Sequence, residues 1–290
     1  MAALELADRL EAAETAPARQ WRFGIIFWLA LGWIALIFIL AVTADLLPLA
    51  DPAKMSLLAR RAPPSAAHLL GTDTLGRDIL ARVIYGARTT LAVGILAPLL
   101  GTLVGGTIGL LAGYFRGAFE TAAIGATDVL LAFPPLVLAL AIVAYLGQST
   151  VNVIIVLAIL TVPAVTRIAR AATLAVRERE FVTAARALGA SHARIVLREI
   201  LPNVVLPLTA YFLVLVAIII VAEAILSFLG LGVPPPTPSW GSMIAEGRES
   251  LDLAPHIAFI PAAAMFLTVL AFNLVGDILR AAADPRRGPA

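Results

Sequence analysis

Chemistry needs nucleophiles, bases and ligands at workable spacing, and this 290-residue chain offers few. It has no cysteine, which removes a disulfide framework, a thiolate nucleophile and thiolate-bound metal. Its three histidines, His68, His192 and His256, lie far apart. Neither an HExxH pattern nor a Gly-x-Ser-x-Gly elbow occurs. No nucleophile–base pair can be nominated, so the expectation is no catalytic residue and no metal site. The single lysine, Lys54, sits in Pro-Ala-Lys-Met, whereas a phosphate loop requires Gly-Lys-Ser/Thr. ATP hydrolysis is not expected in this chain.

The elements around these residues are set by composition. The chain is 61% hydrophobic and 14% charged, with a mean hydropathy of +0.96. Soluble domains run at about 45–50% apolar and about 25% charged. An all-α integral membrane protein follows, because a bilayer core about 30 Å thick takes roughly 20 apolar helical residues. Six transmembrane helices are predicted: 24–44, 89–114, 121–148, 151 to about 171, 204–229, and 253 to about 280. A signal peptide is rejected for the first, which is too long and follows Glu5, Asp8, Glu11 and Glu14. Arg167 and Arg170 close the fourth span by reaching toward the headgroups.

Lys and Arg placement sets orientation. With the N-terminus inside, fourteen fall on inner segments and seven on outer ones, favouring an N-in, C-in topology. The expected organisation is a cytoplasmic segment 1–23, a first helix 24–44 and an extracytoplasmic segment 45–88. A core of five helices over 89–280 follows, with an inner loop 177–203, an outer loop 230–252 and a cytoplasmic tail 281–290. Pro48, Pro52, Pro63 and Pro64 keep the segment 45–88 extended or turn-like.

Within the spans, Gly101, Gly105, Gly109 and Gly113, with Gly117 after them, recur every four residues. Such a stripe lets helix backbones approach closely, so helix packing is the expected role. Three acidic residues fall in or near spans. Asp128 and Asp277 are placed near inner ends, to pair with arginines. Glu223 lies deeper and is a candidate translocation-path residue, with a hydrogen bond to a neighbouring helix as the alternative.

Seven of the 21 Lys and Arg residues fall between Arg167 and Arg198. The stretch Glu178–Asn203 reads as a helix–turn–helix at the inner surface. Gly189 ends the first helix, Ser191 caps the second, and Pro202 terminates it. Ala184 and Ala185 leave a smooth patch flanked by charge.

This stretch resembles the loop of integral-membrane subunits of ABC importers: Glu-Ala-Ala, three residues, Gly, nine residues, then Ile-x-Leu-Pro. Ala184, Ala185, Gly189, Leu201 and Pro202 match in register, while Thr183 replaces the Glu and Glu199 stands in place of the Ile. Three further segments sharpen the resemblance: Leu69–Arg88 with Gly71-Thr-Asp-Thr-Leu-Gly-Arg-Asp78, Phe228–Gly241, and Leu270–Arg280 followed by Asp284-Pro285. In this order the chain resembles the C-type permease subunit of dipeptide, oligopeptide and nickel importers, over nearly its whole length.

That resemblance implies a type I ABC importer permease fold. It implies ATPase docking through Glu180, Phe181, Ala184, Ala185, Leu188, Gly189, Leu201 and Pro202. It also implies an outer-mouth element, Gly71, Thr72, Asp73, Gly76, Arg77 and Asp78, facing a binding protein. An anion-binding glycine loop is the disfavoured alternative there, lacking the lysine. The implied partners are a B-type permease subunit in a heterodimer, two ATPase subunits that hold ATP and Mg, an extracytoplasmic solute-binding protein and the lipid bilayer, with no nucleic acid. No cofactor is expected in this chain. The implied setting is a bacterial or archaeal cytoplasmic membrane, and the implied cargo a dipeptide or oligopeptide, with nickel chelates or glutathione as alternatives. A proton-coupled secondary transporter is the competing class, but the chain offers only Glu223 as a deep charge.

Overall fold

The computed structural model describes residues 24–283. The expected segment 1–23, the tail residues 284–290 including Asp284-Pro285, and the arginines they contribute to orientation lie outside the described residues. The described elements are all helical: α1 (Ile25–Thr43), α2 (Ile79–Phe115), α3 (Gly117–Leu131), α4 (Pro135–Leu146), α5 (Thr150–Arg177), α6 (Glu180–Ala187), α7 (His192–Phe228), α8 (Trp240–Gly247) and α9 (His256–Ala283).

Five of these are long and apolar enough to cross a membrane, and the pair α3 and α4 makes a sixth if it counts as one broken span. The chain is thus a multi-pass, all-α membrane protein. The third predicted run is not one straight helix, because α3 and α4 meet at 85°. Pro134 and Pro135 explain the break. The residue before a proline is driven out of the α region, and prolines offer no N–H to the preceding turn.

Two other predicted boundaries also move. The second span starts ten residues earlier, at Ile79, because Asp78 caps α2 by accepting the Ala81 N–H at 2.9 Å. The fourth runs on to Arg177, so Arg167 and Arg170 lie within α5 rather than closing it.

α2 and α5 pack backbone to backbone. A Cβ on Gly101 would lie 1.7 Å from Thr161 Oγ1, on Gly105 2.6 Å from the Val162 carbonyl, on Gly109 2.3 Å from the Thr166 carbonyl, and on Gly113 2.8 Å from Thr173 Cβ. Only glycine permits that approach, which substitutes for the hydrophobic drive that is absent between helices in lipid. Gly117 stands apart from the stripe, at φ +64° with open space around it. α7 and α9 complete the bundle. α1 leans on α9 through Phe27, Ala30, Ala271 and Val275, with Trp33 Nε1 donating to Thr268 Oγ1 at 3.0 Å.

Candidate functional site

The inner loop is built on the end of α5. After Arg177 the chain turns at Glu178 and Arg179 into α6, whose eight residues are too few to form a helix unaided. Tertiary packing holds it. Val182 is the buried residue of α6, wholly enclosed with Leu110 and Tyr114 of α2, Val165 and Ala169 of α5, and Ile195, Val196 and Ile200 of α7.

The end of α6 is closed in a Schellman pattern. Gly189 at φ +79° donates to the Arg186 carbonyl at 3.0 Å, and Ala190 donates to the Ala185 carbonyl at 3.1 Å. Ser191 Oγ then accepts the Arg194 N–H and starts α7. His192 Nδ1 lies 2.7 Å from Tyr114 Oη, which ties the start of α7 to the inner end of α2.

The second helix does not end before Pro202. Residues Ile195–Ile200 form a π-type turn, with Leu201 N–H bonded to the Val196 carbonyl, and α7 continues to Phe228. Widening the spiral by one residue accommodates a proline that cannot donate to the preceding turn. The inner loop is therefore welded to a transmembrane helix.

Of the eight nominated docking residues, Glu180, Phe181, Ala184, Leu188, Gly189 and Pro202 are exposed, Leu188 at 87%. Ala185 and Leu201 are half-buried against the Val182 cluster. A groove of about 950 Å³ runs alongside, between Glu178–Phe181 and the Asn203, Leu206 and Pro207 turn of α7. This surface offers shape, apolar contact and the charges of Glu178, Arg179 and Glu180. Val182, Tyr114 and His192 were not nominated from sequence. Val182 stands between Phe181 and Thr183 with no local mark of its anchoring role, and nothing linked Tyr114 to His192 across 78 residues.

The side chains of the outer element are largely enclosed. Gly71, Thr72, Asp73, Gly76 and Arg77 are buried, and Asp78 is half-buried. Asp73 Oδ1 accepts the N–H groups of Leu75 and Arg77, while its Oδ2 takes Arg77 Nε at 2.6 Å. Glu246 of α8 bridges Arg77 at 2.6 Å and Arg82 at 3.1 Å. Asp78 also holds His68 Nδ1 at 2.9 Å. The charges close on one another, so these side chains form an internal latch between the loop, α2 and α8. A Cβ on Gly76 would sit 1.9 Å from the Ser56 carbonyl, so the glycine is required by the loop's own fold.

Glu223 also takes a structural place. It is completely buried, and its Oε1 accepts from Ser227 Oγ at 2.7 Å and from Ser239 Oγ at 2.9 Å. The carboxyl fastens α8 to α7, the helix-to-helix bond expected as the alternative to a place on the translocation path. Gly241 packs against it, leaving Oε2 enclosed. Asp128 pairs with Arg167 and Glu120 with Arg170, whereas Asp277 is exposed on α9.

Residues 105–289 match the family described as "Binding-protein-dependent transport system inner membrane component". The chain is 46% identical over 223 residues to the glutathione transport system permease protein GsiD of Pectobacterium atrosepticum, covering 77% of this chain and 74% of that one. It is 48% identical to the protein of the same name in Escherichia coli O157:H7, with the same coverage. Among solved structures, it resembles the inward-facing MetNI methionine ABC transporter, with a TM-score of 0.58 at 17% identity over 71% of this chain and 98% of that one. A crystal structure of an amino acid ABC transporter with histidines gives 0.54 at 21% identity, over 70% and 94%. At these identities the structures speak for the fold alone.

Proposed function

We propose, for a chain that belongs to the family of binding-protein-dependent transport system inner membrane components and is a permease of an ABC importer, that it forms half of a heterodimeric pore for small peptides. The other half is a B-type permease subunit. Two ATPase subunits, which hold ATP and Mg, dock inside, and an extracytoplasmic binding protein delivers the cargo from outside. A bacterial or archaeal cytoplasmic membrane is the setting.

The observation that carries this reading is the build of α6. It presents Phe181, Ala184 and Leu188 outward while Val182 anchors it to three membrane helices at once. A docked ATPase that closes on ATP would move α6, and the Val182 cluster would pass the movement to the inner ends of α2, α5 and α7. The π-type turn leaves no loose joint between Ser191 and α7, so displacement at the loop becomes rocking of the bundle. Glycine-to-backbone contact between α2 and α5 makes those two helices move as one body.

Small peptides are favoured as cargo because the named relatives are glutathione permeases, and glutathione is a tripeptide. Uptake into proteoliposomes carrying the full transporter and its binding protein tests the proposal. Glutathione or dipeptide uptake that stops on ATP removal supports it. Uptake that survives ATP removal and stops on proton-gradient collapse, or import of a nickel chelate alone, contradicts it.

A further inference from the structure

An arginine–carboxylate pair lies close to the break between α3 and α4, within the membrane-spanning helices. Arg167 Nη2 donates to Asp128 Oδ1 at 2.6 Å, yet both side chains stay about half exposed, at 54% and 53%. Arg167 lies ten residues before the end of α5, and Asp128 lies eleven after the start of α3. At about 1.5 Å per residue each is about 15 Å from its helix's inner end, and because α5, at 28 residues, is longer than a hydrocarbon layer about 30 Å thick, Arg167 falls in the inner half of that layer. Such a pair does not face lipid at that depth.

The backbone beside it leads to the same conclusion independently. Pro134 and Pro135 have no N–H, so the carbonyls of Leu130 and Leu131 receive no donor from the next turn. Residues 131–135 are exposed. Broken backbone at membrane depth is tolerated where it lines water or is covered by protein. Charge and free carbonyls thus converge on one face of the chain.

We infer that Asp128 and Arg167, with the open C-terminal end of α3, form a dipolar station that reads the two ends of a zwitterionic peptide. The peptide ammonium meets Asp128 and the negative end of the α3 dipole. The peptide carboxylate meets the planar guanidinium of Arg167, whose fork suits a carboxylate. In the empty state the two residues neutralise each other, and the zwitterion exchanges one ion pair for two without a change in net charge. Binding stays weak because the resting pair must open, which suits a site that releases its cargo. This inference rests on peptide import as proposed above and names the chemistry by which this chain selects it.

The chain has no cysteine, so single cysteines report cleanly. Ala132→Cys and Ala171→Cys sit one turn beyond Asp128 and Arg167 on the same faces. In the assembled transporter in membranes, both should react with a membrane-impermeant methanethiosulfonate. Alanylalanine, a net-neutral zwitterion without a thiol, should slow that reaction about tenfold, and its N-acetyl and C-terminal amide forms should protect about tenfold less well, the worth of one charge-assisted hydrogen bond. Arg167→Gln should erase the distinction between free acid and amide alone, and Asp128→Asn the distinction between free and acetylated amine alone. No reaction from the aqueous phase, as when lipid or a partner subunit covers the face, would overturn the station. So would protection indifferent to blocking, or variants that weaken free and blocked ligands equally. If the wild type imports no peptide, the proposed function fails instead, and that uptake assay is read separately from labelling.

Discussion

Val182→Ala is the perturbation with the most to say about how the inner loop works. The valine is 0% exposed and is the buried residue of α6. Truncation removes two methyl-sized groups, worth roughly 0.8 kcal/mol each. The cavity left behind adds to that, for a total of about 2 kcal/mol. An eight-residue helix has no reserve of its own, so the loss falls on docking, shifting the docked-to-undocked ratio roughly thirtyfold. Trypsin reports it in inside-out vesicles, because Arg179, Arg186 and Arg194 are exposed around this loop. Cleavage there should accelerate. In the reconstituted transporter, ATP hydrolysis should persist while uptake per ATP falls several-fold, since α6 still presents Phe181 and Leu188 but no longer pulls on α2, α5 and α7. Unchanged cleavage and unchanged uptake per ATP would refute the anchoring argument.

Other outcomes follow from the same contacts. Gly109→Val should prevent stable assembly of the bundle, seen as loss of full-length protein in membranes, because even a Cβ there meets the Thr166 carbonyl at 2.3 Å. Gly189→Ala should destabilise the loop by about 1 kcal/mol through its left-handed backbone and raise tryptic cleavage modestly, with nothing lost to crowding. Glu246→Leu should cost about 3 kcal/mol by leaving the enclosed Arg82 and Arg77 short of a carboxylate, and a lower unfolding temperature of the purified protein is the check. Glu223→Gln should leave uptake and assembly close to wild type, since the amide oxygen still accepts from Ser227 and Ser239. Lost uptake with assembly intact would return that residue to the transport path.

The membrane spans were legible because long uncharged runs have one physical use. Their ends were less so, and the reasons are specific. Arg82 and Arg88 made the start of α2 look like loop, but Arg82 is matched by Glu246, 164 residues away, and Arg88 by Asp45. No local pattern announces such partners. The break after Leu131 carried a signal, the Pro134–Pro135 pair, inside a composition so uniformly apolar that a run-length reading passed over it.

The glycine stripe was readable from its spacing of four, since that period puts Cα atoms on one helix face. Glu223 and the Gly71–Asp78 segment were read correctly as unusual. Their side chains turn inward, and the direction in which a side chain turns depends on neighbours distant in sequence. The inner loop was visible through Ala184, Ala185 and Gly189, while its anchor, Val182, looks like any other valine until α2, α5 and α7 close around it.

The central claim is that the outward face of α6 is where an ATPase grips this permease. A photoreactive benzoylphenylalanine at position 184, with a second variant at position 58 in the outer segment as control, tests it in the assembled transporter. Both positions are exposed, Leu58 fully so. Illumination should join the ATPase chain to the variant at 184 and leave the variant at 58 free of it. Equal joining at both positions, or none at 184 in a complex that still hydrolyses ATP, would contradict the account.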